Sequence, residues 1–312
     1  MNLPRTTYML GMAALVAVCA AGCSTEESLP QLDVDPDTGV DETRAGTLVA
    51  EYVTPRSGRA GGLGVHAQFL DVKGVNYDTA LEALEVWSPD WQLHADACSL
   101  RSDPSLSEQR AGAIRLELLD VGPINVRGPQ EVFELEARRL PDLLSAFSGV
   151  IYGTEQSFGA RTLDVDYAPG AHYEFDAPGR SSSAGFGVSL RAPEPVHIAS
   201  LGGISADHSG YVEWDFDQEL VVEWAPEASG SADALFLDIS SGFGPDRPRL
   251  SCRIDDDGSF VVPASVLEQL ATDSTDLELS LRRINATSAD IDGLETSEFI
   301  FSTVDQVTLV GE

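Results

Sequence analysis

Lysine is almost missing from this chain. Lys73 is the single lysine among 312 residues, and the other 18 basic residues are arginines. Basic residues of both kinds number 19 against 51 acidic ones, which leaves a formal net charge of −32. A surface so poor in positive charge repels phosphate backbones and anionic headgroups. Nucleic-acid binding and polybasic membrane docking are thereby excluded. The recognisable signatures of catalysis are missing too. There is no Gly-x-Ser-x-Gly elbow, no His-Glu-x-x-His pair, no phosphate-binding Walker loop and no Cys-x-x-Cys pair. The five histidines, at 66, 94, 172, 197 and 208, are scattered without ligand spacing. Gly62-Leu-Gly-Val-His-Ala67 mimics a dinucleotide loop, but a strand pattern follows it where a helix is needed.

What is present begins with an address. Arg5 precedes the apolar stretch Met9–Ala20, which is shorter than the roughly 20 residues of a membrane span. It has the length of a signal-peptide core. It ends in Ala20-Ala21-Gly22-Cys23. Small residues before a cysteine resemble the bacterial lipobox, with Ala20 where that motif most often has Leu. The resemblance implies cleavage before Cys23 and a covalent diacylglycerol plus an N-acyl chain on it. No other cofactor is expected. A plain signal peptide with Cys23 as an ordinary thiol is the alternative. Two or more acyl chains anchor stably. Ser24 is not Asp, so the outer membrane is the expected destination.

Residues 1–22 are therefore read as the signal and 23–46 as an acidic tether without apolar periodicity. Inside it Asp33, Asp35, Asp37 and Asp41 recur as in a calcium loop, but Thr38 and Arg44 stand where Gly and the closing carboxylate belong.

Apolar residues make up 43% of the chain, enough for a core. From Thr47 onward they alternate with polar ones over short runs broken by Gly, Pro and Asp. The pattern predicts a mainly β fold of two sandwich-like, immunoglobulin-like domains, 47–193 and 194–312. The boundary is placed at Arg191-Ala-Pro-Glu-Pro195, a stiff extended hinge. Short helices are expected at Pro141–Phe147 and Pro263–Ala271. Trp224 is read as a core residue, and Leu250–Pro263 as a hairpin turning at Asp257-Gly258.

Three features carry candidate sites. Cys98 and Cys252 remain once the signal and Cys23 are set aside, and an oxidising compartment permits a disulfide between them. Two separate buried thiols are the alternative. Asp255, Asp256 and Asp257 form a weak metal candidate, though turn chemistry also explains them. Trp87-Ser-Pro-Asp-Trp91 places two indoles around a proline turn, a possible flat platform for a sugar or peptide. Packing of at least one indole into the core is the competing reading.

Three blocks, Glu219–Pro226, Leu250-Ser-Cys252 and Asp257–Pro263, resemble the distal half of secreted lipoproteins of myxobacteria and their relatives. Cys98, Ala111–Leu116 and Phe158–Gly170, followed by Phe175 and Ala177-Pro178, resemble their first half. That group implies no activity and no functional residues. The expected role is a lipid-anchored envelope protein that binds or supports an envelope protein or a glycan, without catalysis. An adhesin or glycan-binding module, and a secreted hydrolase or its accessory subunit, stand as alternatives.

Overall fold

The chain is mainly strand because its apolar residues recur every second position, so each strand has one face to bury. The computed structural model describes residues 42–56, 61–74, 80–81, 87–101, 115–144, 147–154, 167–180, 183–206, 210–227, 233–241, 247–271 and 275–311. Cys19, Cys23, the four tether aspartates and most of the strand expected at Thr162–Tyr167 lie outside them.

The described strands form one long sheet and two small ones. The long sheet runs β3 (Ala97–Arg101), β16 (Arg249–Ile254), β15 (Ala234–Ser240), β18 (Asp276–Ser288), β19 (Thr296–Gly311), β1 (Glu42–Val53), β2 (Gly62–Lys73), β4 (Arg115–Leu118), β8 (Phe147–Gly153), β7 (Glu136–Leu144). β13 (Tyr211–Trp214) pairs with β19 beside this path. One small sheet is β10 (Ser183–Arg191), β9 (His172–Arg180), β5 (Asn125–Arg127) and β6 (Val132–Glu134). The other is β12 (Ile204–Ser205), β11 (Ile198–Leu201), β14 (Leu220–Trp224) and β17 (Ser259–Val262).

Each small sheet packs on the same face of the long one, and each contact is a core. Val222 and Trp224 meet Leu237, Leu279, Leu281, Val307 and Leu309 in one. Tyr173 and Phe175 meet Leu48, Tyr152, Phe299 and Phe301 in the other. β19 explains how they are joined. Its odd positions read Phe299, Phe301, Thr303, Asp305, Val307, Leu309, and these residues are all buried. The ends of the strand serve the two cores, and the polar middle lies at the seam. The two units expected over 47–193 and 194–312 therefore share one sheet. Val40–Glu312 is a single compact unit. The proline segment at 191–195 is where the chain crosses between the small sheets, and it is fastened there. Arg283 Nη1 donates to the carbonyl of Glu194 at 3.2 Å, as does Thr303 Oγ1 at 3.1 Å.

Three other expectations need correction. The tether ends before 46, because β1 already pairs at Glu42–Gly46 with β2. An ion pair from Arg44 to Asp71 at 3.0 Å accompanies that pairing. The helix expected at Pro141–Phe147 is instead the end of β7 and the start of β8. Their register is irregular between Leu140 and Leu144, where Pro141 lacks a donor. The expected hairpin at Leu250–Pro263 is a corner between sheets. β16 pairs with β15 and β3, whereas β17 pairs with β14. Gly258 at the corner has φ +102°, and its carbonyl accepts from Trp224 N at 3.0 Å. The helix expected at Pro263–Ala271 forms as α1 (Ala264–Leu270), with Leu267 and Leu270 buried.

Candidate functional site

The outer face of the long sheet, opposite the cores, carries an unusual set of side chains. Phe236, Ile284, Ile300 and Val49 make a small apolar island there. Beside it stand Asp238 and Arg282, both buried. The segment from Trp87 to Leu93 lies over this island and returns as β3.

Local chemistry shapes that segment. Pro89 opens a turn closed by Trp91 N on the Pro89 carbonyl at 3.1 Å, and Asp90 Oδ1 accepts from Gln92 N at 3.1 Å. Both indoles stand edge-on over one ring, Phe236. Trp87 meets it at 6.3 Å and 82°, Trp91 at 5.6 Å and 87°. Their environments then diverge. Trp87 donates through Nε1 to Asp238 Oδ2 at 2.9 Å and lies under the Arg282 guanidinium, 4.6 Å from the ring centroid. It belongs to the packed layer. Trp91 donates to Glu298 and keeps 38% of its surface exposed. The two indoles are thus not a joint platform: one supports and the other is presented.

Asp238 organises what lies beneath. It accepts from Ser251 Oγ at 2.5 Å, Arg249 Nη2 at 2.8 Å and Trp87, with Arg282 Nε 3.9 Å away. Burial alone would raise its pKa, but Arg249, Arg282 and the Ser251 hydroxyl together hold it below the ordinary carboxylate value. Arg282 also pairs with Glu51. Mostly buried His66 lies near both, and burial lowers its pKa.

Above this layer is an open groove of about 680 Å³, within the usual range for small-ligand sites. Trp91 forms one wall with Ser88, Asp90 and Gln92. Arg101, Arg249, Thr287, Ser288, Thr296 and Glu298 also line it. Arg101 Nη2 lies 3.8 Å from Asp90.

The cysteines hold this arrangement. Cys98 and Cys252 face each other in register on β3 and β16 and are bonded, with their Cα atoms 4.0 Å apart. Asp96, at φ 59°, accepts from Asp255 N at 3.3 Å, and Arg253 Nη1 donates to the Leu93 carbonyl at 3.2 Å. The groove segment is therefore pinned to β15 and β16 at Trp87, Leu93, Asp96 and Cys98.

No protein-family model matches this chain, and no curated protein is similar to it.

The other candidates do not converge. Asp256 accepts from Trp224 Nε1 at 2.7 Å and pairs with Arg283 at 2.7 Å, while Asp257 Oδ1 accepts from Ser259 N at 3.2 Å. Asp255 takes part through its backbone. The carboxylates of Asp256 and Asp257 thus serve core and turn, and among the described residues no group of three metal-ligating side chains gathers. Arg101, Arg249, Asp238 and Glu298 carry no motif in the sequence. One signal could have found two of them. Once Cys98 is paired with Cys252, counting three residues along antiparallel strands sets Arg101 opposite Arg249.

Proposed function

We propose that this chain is an exported, lipid-anchored envelope protein that binds a carbohydrate in the groove beside Trp91, without catalysis. The observation that carries the reading is the half-exposed Trp91 ring in a groove edged by hydroxyls, an amide, carboxylates and guanidinium groups. Sugar rings offer apolar C–H faces and a rim of hydroxyls. An aromatic face meets the first, and planar polar side chains meet the second. The anchor is supported by the Ala20-Ala21-Gly22-Cys23 sequence after an apolar stretch. A disulfide between Cys98 and Cys252 fits an oxidising compartment outside the cytoplasm. The envelope membrane would be reached through lipid on Cys23, most simply the outer membrane.

Two measurements test this reading. The detergent-solubilised full chain on a glycan array should give hits that Trp91→Ala abolishes; an array without hits rejects the ligand class. Cells given globomycin should accumulate an uncleaved precursor, and Cys23→Ala should stop lipid labelling. Unchanged processing rejects the anchor.

A further inference from the structure

The charge on the groove walls differs sharply from that of the rest of the chain. The sequence as a whole carries −32, yet the groove is lined by two arginines, Arg101 and Arg249, and two carboxylates, Asp90 and Glu298. Its lining is formally neutral. Each of these charges is also already engaged. Arg101 lies 3.8 Å from Asp90, Arg249 donates to Asp238 at 2.8 Å, and Glu298 accepts the Trp91 indole N–H. Under the floor, Asp238 is the carboxylate that holds Arg249, with Arg282 Nε 3.9 Å away.

We infer that the groove selects an uncharged glycan over an acidic one. The inference rests on the carbohydrate reading above and deepens it. An anionic sugar would have to share a guanidinium with the carboxylate that already holds it, setting two negative charges against one positive charge within the same groove. Outside the groove it would meet the field of a strongly acidic protein. A neutral sugar needs neither. Arg249 is held through Nε and Nη2 by Asp238, so its plane is fixed and its outer edge can donate to a hydroxyl without losing that pair. Asp90 and Glu298 can accept from hydroxyls. Ser88, Thr287, Ser288 and Thr296 can do either. Selection here comes from equal numbers of opposite charges on the lining, each of which already has a partner. Affinity should then owe little to long-range attraction and hardly respond to salt.

The test uses the full chain in detergent with defined probes: maltohexaose, cellohexaose and mannohexaose as neutral ligands, and hexagalacturonate as the acidic one. Calorimetry is run at about 20 and about 500 mM NaCl, which spans strong to weak screening. At least one neutral hexasaccharide should bind, hexagalacturonate should bind about tenfold more weakly or not at all, and Kd should change less than about twofold with salt. Trp91→Ala should abolish binding. Ser288→Trp, at an exposed rim position away from the core, should abolish it too, and guards against misfolding of the first variant. If hexagalacturonate binds as tightly as the neutral sugars, or Kd rises about tenfold with salt, the inference is overturned. The carbohydrate reading survives that result provided both variants still abolish binding. If no hexasaccharide binds at all, the carbohydrate reading falls and this inference with it.

Discussion

Asp305 and Arg56 form a forked ion pair at the seam between the two cores. The guanidinium donates to both carboxylate oxygens, and both side chains are almost fully buried. Each has further partners. Asp305 accepts from Ile198 N at 2.8 Å and Gln306 N at 3.0 Å, and His197 Nδ1 lies 3.1 Å away. Arg56 donates to the carbonyls of Ile198, at 3.0 Å, and Ala206. One buried pair thus ties the chain following β1 to β19 of the long sheet and to β11 of a small one.

Removing one member of this pair should therefore be costly. A buried charge stripped of its partner loses about 3–5 kcal/mol of stability, whereas replacing both partners by apolar groups is milder. Asp305→Leu should lower the unfolding free energy by that amount, and Asp305→Leu with Arg56→Met should recover part of it. Urea denaturation followed by circular dichroism measures both. A single-variant loss below about 1 kcal/mol would show that the seam does not depend on the pair.

The Cys98–Cys252 bond closes a loop of 154 residues. In the chain-entropy account, such a loop contributes on the order of 5 kcal/mol by restricting the unfolded chain. Reduction should lower the melting temperature and also loosen the groove, since among the described strands β3 pairs only with β16. Melting with and without reductant reads the first effect. Quenching of Trp91 fluorescence by acrylamide, compared in Cys98→Ser and native protein, reads the second. Equal quenching would remove the disulfide from the groove's support. Alkylation of both thiols in unreduced native protein would remove the bond itself.

How far the sequence could be read follows from the range of each signal. The inward row Leu220, Val222, Trp224 was legible because strand alternation is local. The shared sheet was not. Its spine joins β1 to β19, whose partners Ala45 and Thr296 lie far apart in the chain, and alternation says nothing about which strands become neighbours. The proline segment at 191–195 marked a real crossing but looked like a linker, because its anchors are backbone carbonyls bonded by distant Arg283 and Thr303. In the groove, the Trp87–Trp91 pair could be singled out by composition. Its division into a buried and a presented indole depended on Asp238 and Glu298, which are brought there only by pairing.

Asp238 should make the groove floor sensitive to strong acid. Its folded carboxyl ionises below the ordinary value of 3.8, despite burial, because Arg249 and Arg282 favour the charged form. A depressed carboxylate contributes stability that is complete above the unfolded value and is lost as pH falls through the folded one. The difference in unfolding free energy between native protein and Asp238→Asn should be constant from pH 7 to about 5 and shrink below about 4. Denaturation series at each pH measure it. A difference that persists unchanged to about pH 2 would mean that the variant acts by packing alone.

His66 should add a second, milder step at higher pH. It sits on the outer face of β2, where burial disfavours the imidazolium, Glu51 partly restores it and Arg282 opposes it. The folded pKa lies below the ordinary 6.5. The unfolded chain therefore takes up a proton first as pH falls, and stability declines from about pH 6.5 downward until the folded imidazole also charges. The sign matches that of Asp238, but the window is separate. His66→Gln keeps a polar side chain and cannot take up that proton. Native protein should lose stability between about pH 7 and 5 while His66→Gln holds steady, and both should weaken together once Asp238 titrates. Parallel curves between pH 7 and 5 would show that the imidazole titrates alike in the folded and unfolded chain. The acid response would then belong to the carboxylates alone.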